Sequence, residues 1–174
     1  MYLDGNTFFS PFYMFIKDNH QLEDEELLEQ LGLTNYQLLQ DATESRKCLY
    51  ITEDNNWKHL MDDWSYTLWH NKDIRNRLRE LSQRFDVFYC SIGDYDESFD
   101  FVYCQQGMEK RKYVVEDPFY NGGEVTENIG QALKAEEIAL EEEEAVDKVL
   151  CLAVSLGVNI HHNLETTRCY TEEV

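Results

Sequence analysis

Apolar and polar positions alternate most clearly between residues 85 and 120, which hold the strongest strand pattern of the chain. Three apolar segments follow one another there, separated by turn residues, and Pro118 ends the third. Period-two alternation bounded by Gly, Asp and Pro is typical of strands, so we predict three consecutive strands in an antiparallel meander. An aromatic strand is predicted over residues 8–16 and a short buried strand over residues 48–52.

The second and third strands of the meander are predicted to form a hairpin with a defined register. Their connection ends in Gly107, and a three-residue loop with glycine in the left-handed conformation is a common hairpin turn. Such a loop places Asp100 opposite Lys112 and Phe99 opposite Tyr113. A charge pair and an apolar pair would then both match across the strands.

Apolar residues that recur every three or four positions predict helices elsewhere in the chain. The predicted helices cover residues 22–31, 36–39, 57–70, a stretch beginning near Asp73, and 134–156. The helix over residues 57–70 would carry one apolar stripe, made of Trp57, Leu60, Met61, Trp64 and Leu68. The last helix has an acidic first half, which the helix dipole favours, and an apolar second half that we expect to pack on the sheet and to end at Gly157.

These elements together predict an α+β fold with a mainly antiparallel central sheet. The sheet would contain the three-stranded meander and be packed by several helices, including the long C-terminal one. A length of 174 residues predicts one domain over residues 1–174, large enough for a hydrophobic core. A last strand is predicted over residues 158–160, and the polar tail from about residue 163 is expected to be loose.

The excess of acidic side chains limits the kinds of molecule that the chain is expected to bind. The chain has 35 acidic and 15 basic side chains, a formal net charge of −20. Such a field repels nucleic acid and anionic membranes, and it speeds encounters with basic molecules. We therefore expect a basic protein partner, no direct nucleic-acid binding and no membrane association.

The sequence also indicates the cellular compartment and the state of the cysteines. No apolar run approaches the roughly 20 residues of a membrane span, and the N-terminal segment lacks the features of a signal peptide. The five cysteines are widely spaced and form no C-x-x-C pair, which argues against a disulfide framework or a structural zinc site. A cytoplasmic location is expected.

Two groups of polar side chains are candidates for metal chemistry. Asp94, Asp96, Glu97 and Asp100 lie close together and supply the oxygen ligands that a divalent cation prefers. The same loop would equally suit recognition of basic side chains, or be an exposed turn in which Asp and Gly serve the backbone. No EF-hand pattern is present.

The second group lies on the predicted helix over residues 57–70. His59 and Asp63 would lie one turn apart, with His70 further along the same side. No H-E-x-x-H pattern occurs, and no nucleophile elbow, phosphate loop or dinucleotide fingerprint is found anywhere. We expect no enzyme activity, no cofactor and no bound metal.

Three short motifs in the middle of the chain carry a family resemblance. They are Trp57 with Asp62-Asp63-Trp64, Gly93-Asp94 with Glu97-Ser98-Phe99, and Tyr113-Val114-Val115-Glu116-Asp117-Pro118. In these motifs, and in size and charge, the chain resembles immunity proteins, which are small acidic bacterial proteins encoded beside polymorphic or contact-dependent toxins. The resemblance implies an inhibitor that neutralises a basic toxin by covering its active site, and it assigns no role to an individual residue.

The acidic loop and the turn after the meander are the predicted contact surface. Its residues are Asp94, Tyr95, Asp96, Glu97, Phe119 and Tyr120. The acidic run at residues 141–144 would add long-range electrostatic steering. Two other functions stay open: a nucleic-acid mimic that inhibits a DNA-binding enzyme, and a divalent-metal-dependent enzyme that uses Asp94, Asp96 and Glu97.

Overall fold

The computed structural model describes residues 2–4, 7–9, 12–39, 48–62, 68, 71–93, 96–159 and 166–172. The strands are β1 (Tyr2–Asp4), β2 (Thr7–Phe9), β3 (Phe12–Lys17), β4 (Tyr36–Leu38), β5 (Cys48–Asp54), β6 (Trp57–Asp62), β7 (Asp86–Ile92), β8 (Phe99–Gln105), β9 (Met108–Glu116), β10 (Glu124–Gly130) and β11 (Arg168–Glu172). The helices are α1 (Asp24–Gln30), α2 (Ile74–Leu81), α3 (Glu136–Ala139) and α4 (Ala145–Ser155).

Nine of these strands form one antiparallel sheet in the order β10-β9-β8-β7-β3-β6-β5-β11-β4. Strand β3 lies at its centre, between β6 and β7. From there the sheet grows one way through β7, β8, β9 and β10, and the other way through β6 and β5. Strands β1 and β2 form a separate two-stranded sheet.

The central strands are apolar on both sides because helices cover both faces of the sheet. Phe12, Met14 and Ile16 of β3 point to one face and form a core cluster with α1 and α2. Tyr13 and Phe15 point to the other face and form a second cluster with α3 and α4. We call these the α1/α2 face and the α4 face. Continuous burial of this kind is typical of strands covered on both sides.

The predicted fold class was wrong. The meander is only part of a nine-stranded sheet, and the helices are few and short. Helix α4 has 11 residues and α3 has four, and the two are separated by the acidic run at residues 141–144. Like charges three or four positions apart on a helix, such as Glu137 with Glu141 and Glu141 with Glu144, are destabilising, which disfavours a single long C-terminal helix there.

The predicted helix over residues 57–70 was wrong over its first part, since Trp57–Asp62 is the buried strand β6, while Leu68 in its second part is helical. A two-residue turn at Asn55 and Asn56, both with positive φ, joins β5 to β6 as a hairpin. Over six residues, a buried strand and an apolar helix stripe have similar patterns, and the pairing with β3 and β5 selects the strand. Residues 63–67, 69 and 70 lie outside the described part of the chain. Residues 36–38 likewise form β4 rather than a helix.

The hairpin of β8 and β9 forms with a shorter turn than predicted. Gln105 pairs with Met108, so only Gln106 and Gly107 form the loop, both with positive φ. A bulge then shifts the register between Tyr103 and Cys104. The short turn and the bulge together displace the pairing by two positions.

This displacement changes the partners but keeps the faces. Asp100 lies opposite Val114, not Lys112, and Phe101 rather than Phe99 lies opposite Tyr113. The predicted register was therefore wrong. Because strand side chains alternate with a period of two, each residue still points to the predicted side of the sheet.

The C-terminal segment departs from the expected loose tail. Residues 168–172 form β11, which is inserted between β5 and β4. Val158 and Asn159 are not part of a strand. Among the other local predictions, α1, α2, β5 and the three strands β7, β8 and β9 are confirmed.

Candidate functional site

Four of the six predicted contact residues can be placed. Asp94 and Tyr95 lie outside the described residues. Glu97 is exposed, and the side chains of Phe119 and Tyr120 are 80% and 72% exposed. The structure brings these residues together at one end of the β8–β9–β10 part of the sheet.

Asp117 holds the two parts of this surface together. Its Oδ2 accepts a hydrogen bond from the Glu97 backbone N–H at 3.3 Å, and its Oδ1 accepts one from the Asn121 N–H at 2.8 Å. Only 3% of Asp117 is exposed. The loop that carries Glu97 and the turn that carries Phe119 and Tyr120 are therefore fixed next to each other.

These hydrogen bonds favour the charged carboxylate form of Asp117. The hydrogen bond from the Asn121 N–H lowers the pKa of Asp117, and the amides of Glu97, Gly122 and Gly123 lower it further against the opposing effect of burial. Asp117 was not among the predicted site residues. Its position directly before Pro118 was the available signal, since Asp-Pro pairs favour turn initiation.

Asp96 serves its own loop. Its Oδ1 accepts hydrogen bonds from the backbone N–H of Ser98 at 2.9 Å and from the Ser98 hydroxyl. A side-chain carboxylate that bonds to the amide two residues further on stabilises a tight turn. Of the two described carboxylates in this loop, Glu97 is therefore the one that faces solvent.

Asp100, the last carboxylate of the acidic stretch, is directed into the molecule. Its Oδ2 lies 2.7 Å from Arg75 Nη1, and its Oδ1 accepts hydrogen bonds from the Ser91 N–H and hydroxyl at 3.0 and 2.5 Å. Lys112, its predicted partner, instead pairs with Glu127 at 2.8 Å. Asp100 therefore stabilises the α1/α2 face and is not part of the contact loop.

A cavity of about 320 Å³ lies beside the contact loop, and these two ion pairs form part of its wall. The lining includes Arg75, Asp100, Lys112 and Glu127. Each cation in this group already has a carboxylate partner. The cavity therefore does not present an isolated charge to a ligand.

The predicted metal sites are not assembled in the described part of the chain. Within it, no group of three or more His, Cys, Asp or Glu side chains could hold a metal ion. His59 lies on a buried strand and packs edge-on against Phe15, with 5.0 Å between ring centroids. Asp63, His70 and Asp94 lie outside the described residues.

Two buried ion clusters that the sequence did not predict lie away from the contact loop. In the first, Lys58 Nζ lies 2.7 Å from Asp24 Oδ1 and 2.6 Å from Glu53 Oε1. Arg168 and Tyr170 of β11 also donate to Asp24, at 2.9 Å each from Arg168 Nη2 and the Tyr170 hydroxyl. This cluster joins α1, β5, β6 and β11 on the α1/α2 face.

The second cluster is a two-point pair on the α4 face. Arg111 Nε and Nη2 lie 2.8 and 2.5 Å from the two carboxylate oxygens of Glu136. Arg111 Nη1 also donates to Asn128 Oδ1 at 2.7 Å and to the Ile129 carbonyl at 2.9 Å. The guanidinium lies over the ring of Tyr113, 5.2 Å from its centroid. Both clusters are satisfied internally, which marks them as structural.

Comparisons with protein-family models, curated proteins and solved structures found no match. Among the described residues, no helix is both long and apolar enough to cross a membrane. The surface held by Asp117 combines an exposed carboxylate with two exposed aromatic rings.

Proposed function

We propose that this chain is an acidic binding protein that inhibits a basic partner. More specifically, we propose an immunity protein that neutralises a basic toxin by covering the toxin's active site. One observation carries the proposal: Asp117 places exposed Glu97 beside exposed Phe119 and Tyr120, on a chain of net charge −20.

The two aromatic rings have the properties of binding anchors. Buried aromatic residues contribute a large share of the energy of protein interfaces, and here two large rings face solvent next to each other. Tyr120 also has a φ of 53°, a conformation that bulky side chains rarely adopt. Backbone strain of this kind is concentrated at functional positions, which supports a binding role for the turn.

The acidic surface supplies the electrostatic part of the interaction. Glu141, Glu142, Glu143 and Glu144 are all exposed, as is Glu97. A field of this sign attracts a basic protein before contact and accelerates association, and salt weakens the effect. Affinity would then come from the aromatic anchors, while charge would set the association rate.

Inhibition by occlusion requires no chemistry from the inhibitor. In the described part of the contact surface, the carboxylates of Asp96 and Asp117 are occupied by hydrogen bonds that hold the loops. The surface is thus suited to contact, with Glu97 available to pair with a Lys or Arg side chain of the partner. The partner's active site would be blocked by the bulk of the bound chain.

The test pairs this chain with the protein encoded by the neighbouring gene. Co-expression should restore growth that the neighbouring protein alone suppresses, and light scattering should detect a stoichiometric complex whose association slows as salt rises. Phe119→Ala combined with Tyr120→Ala should weaken the complex about 100-fold, because two anchors are removed.

The matched control replaces two other exposed apolar residues, Ile138→Ala with Val154→Ala on α3 and α4. This variant should neutralise as well as the wild type. Undiminished neutralisation by the Phe119/Tyr120 variant would exclude our contact surface. Inhibition of a DNA-cutting enzyme in place of the neighbouring protein would favour the nucleic-acid mimic over the immunity protein.

A further inference from the structure

Strand β10 is an open edge of the nine-stranded sheet. In the part of the chain that the structure describes, its sole strand neighbour is β9. Six of its seven residues are exposed, and Glu127 is half-buried. An edge strand offers unpaired backbone N–H and C=O groups to any extended chain that can align with it.

The position of this edge is fixed by contacts behind it. Arg111 donates to the side chain of Asn128 and to the carbonyl of Ile129, while its other nitrogens are held by Glu136 of α3. These contacts hold the C-terminal part of β10 in place and occupy the Ile129 carbonyl, which reduces the conformational entropy that the edge would lose when a second strand pairs with its other backbone groups.

The side chains of β10 combine apolar and acidic groups. Val125 and Ile129 are 51% and 54% exposed and point to opposite faces of the sheet, since they pair with Val115 and Lys112 of β9. Glu124 is exposed, and Glu127 lies on the α1/α2 face beside Lys112. A strand added here would meet apolar side chains on both faces and carboxylates along one of them.

We infer that β10 receives an extended basic segment of the partner, which joins the sheet as an additional strand. This inference rests on the proposed function and adds the mode and chemistry of partner recognition. Main-chain hydrogen bonds would add to the affinity of the aromatic anchors, and Lys or Arg side chains opposite Glu124, which lies beside the exposed Glu116, would supply specificity. The edge begins directly after the turn of Phe119 and Tyr120, so one partner can contact both.

Charge disfavours a second copy of this chain as the occupant. Antiparallel pairing of two β10 strands about their centre would place Glu127 opposite Glu127 of the other copy. Each Glu127 is paired with Lys112, so the main opposition to self-association is the net charge of −20 that each copy carries. A basic segment does not meet this repulsion.

A bulge restricts which strands can pair. The register of β10 against β9 shifts between Val125 and Glu127, so the ladder is interrupted near Thr126. Bulges and charges on an edge strand discourage indiscriminate pairing. An added strand must therefore accommodate the bulge and carry charge that complements Glu124.

The experiment uses the intact chain and a synthetic seven-residue peptide of alternating Lys and Val. A twin peptide carries N-methyl groups on alternate amides, which removes hydrogen bonds along one side and leaves the charge unchanged. Amide hydrogen exchange and amide chemical shifts of the chain are the readouts. The plain peptide should protect amides within residues 124–130, and the twin should bind at least about tenfold more weakly, since several hydrogen bonds are lost.

The opposite edge of the same sheet is the internal control. Strand β4 has three residues and also shows an exposed apolar side chain, Leu38. Its amides should not respond to the peptide. Equal binding of the two peptides, protection at β4 in place of β10, or a chain that sediments as a dimer with β10 protected would each overturn the inference.

This design separates the inference from the proposed function. If the neighbouring protein is neutralised and bound but the amides of β10 keep their free exchange rates in that complex, strand addition is wrong and inhibition stands. If the peptide pairs with β10 but no toxin is neutralised, the edge binds basic strands and the immunity function is wrong.

Discussion

Two groups of acidic side chains contrast, one beside β11 (the β11 end of the sheet) and one beside β10 (the β10 end). At the β11 end, Asp24 is buried and receives hydrogen bonds from Lys58, Arg168 and Tyr170. At the β10 end, the carboxylates of Glu97 and Glu124 are exposed to solvent. The first arrangement holds distant parts of the chain together, while the second leaves negative charge on the surface. The acidic side chains behind the net charge of −20 therefore include buried structural groups as well as exposed ones.

The difference also predicts at which positions the loss of a charged side chain lowers stability. Removing one member of a buried ion cluster leaves its partner charged without compensation, whereas an exposed pair is already solvated by water. Substitution of a charged residue in the buried cluster at the β11 end should therefore lower the free energy of unfolding. At the β10 end, loss of an exposed carboxylate such as Glu97 or Glu124 should leave stability nearly unchanged and weaken binding, whereas the buried Arg111–Glu136 pair there is structural.

The largest effect is expected for Lys58→Met. Asp24 and Glu53 lose a cation that lies within 2.7 Å of each, although Arg168 still contacts Asp24. We expect the free energy of unfolding to fall by about 3 kcal/mol, near the lower end for a broken buried pair. Urea denaturation measures this value.

The matched control is Lys112→Met at the β10 end. Lys112 also pairs with a glutamate at 2.8 Å, but that pair is partly exposed. Its loss should cost no more than about 1 kcal/mol. Equal losses for the two lysines would remove the distinction between the two ends.

A second prediction concerns acid stability at the β11 end. Burial raises the pKa of Asp24, but the hydrogen bonds from Arg168, Lys58 and Tyr170 together outweigh it and hold the pKa below its usual value. A depressed carboxyl pKa stabilises the folded state fully above the ordinary pKa of about 4, and this contribution is lost as the pH falls below it.

As the pH falls below about 4, the wild type should therefore lose stability more steeply than Asp24→Asn, which is less stable at neutral pH and cannot titrate at that position. Denaturation curves at a series of pH values test this. Glu141→Gln, a change in the exposed acidic run, should follow the wild-type profile. Parallel profiles for the wild type and Asp24→Asn would show that the cluster does not govern acid unfolding.

Sequence patterns located the elements whose signals are local. Strands β7, β8 and β9 alternate or stay apolar over several residues, and α1 and α2 have apolar residues at helical spacing. Strand β6 was missed because a buried strand of six residues can imitate a helix stripe. Strand β11 was missed because its place in the sheet depends on pairing with β5 and β4, which are distant in sequence.

The same limit applies to the ion clusters and to the site. Lys58 and Asp24 are 34 positions apart, and Arg111 and Glu136 are 25 apart, so no local sequence pattern predicts either ion pair. The contact loop was predicted as a group because its residues are neighbours in sequence. The role of Asp117, which joins that loop to the next turn, could be recognised only from the fold.

A third prediction tests Asp117 as the organiser of the contact surface. Asp117→Ala removes the acceptor for the amides of Glu97 and Asn121 and should let the two loops separate. Amide exchange at these two positions should accelerate, and affinity for the partner should fall about tenfold, since the anchors lose their fixed arrangement.

Asp96→Ala is the matched control, because Asp96 bonds to Ser98 within its own loop and does not bridge to the turn. Exchange at Asn121 should stay at the wild-type rate in this variant. Faster exchange at Asn121 in Asp96→Ala, or an unchanged rate in Asp117→Ala, would show that Asp117 is not the link.

The smallest effect is expected at Tyr120, where stability and binding should change in opposite directions. Glycine adopts a φ of 53° without strain, so Tyr120→Gly should raise the free energy of unfolding by up to about 1 kcal/mol. The same change removes an exposed ring and should weaken partner binding. Asn56→Gly, at a φ of 65° in the β5–β6 turn, is the control with a smaller expected gain, because asparagine tolerates this conformation. A Tyr120→Gly variant that is less stable than the wild type, or that binds its partner equally well, would show that the strained backbone at Tyr120 serves the fold and not binding.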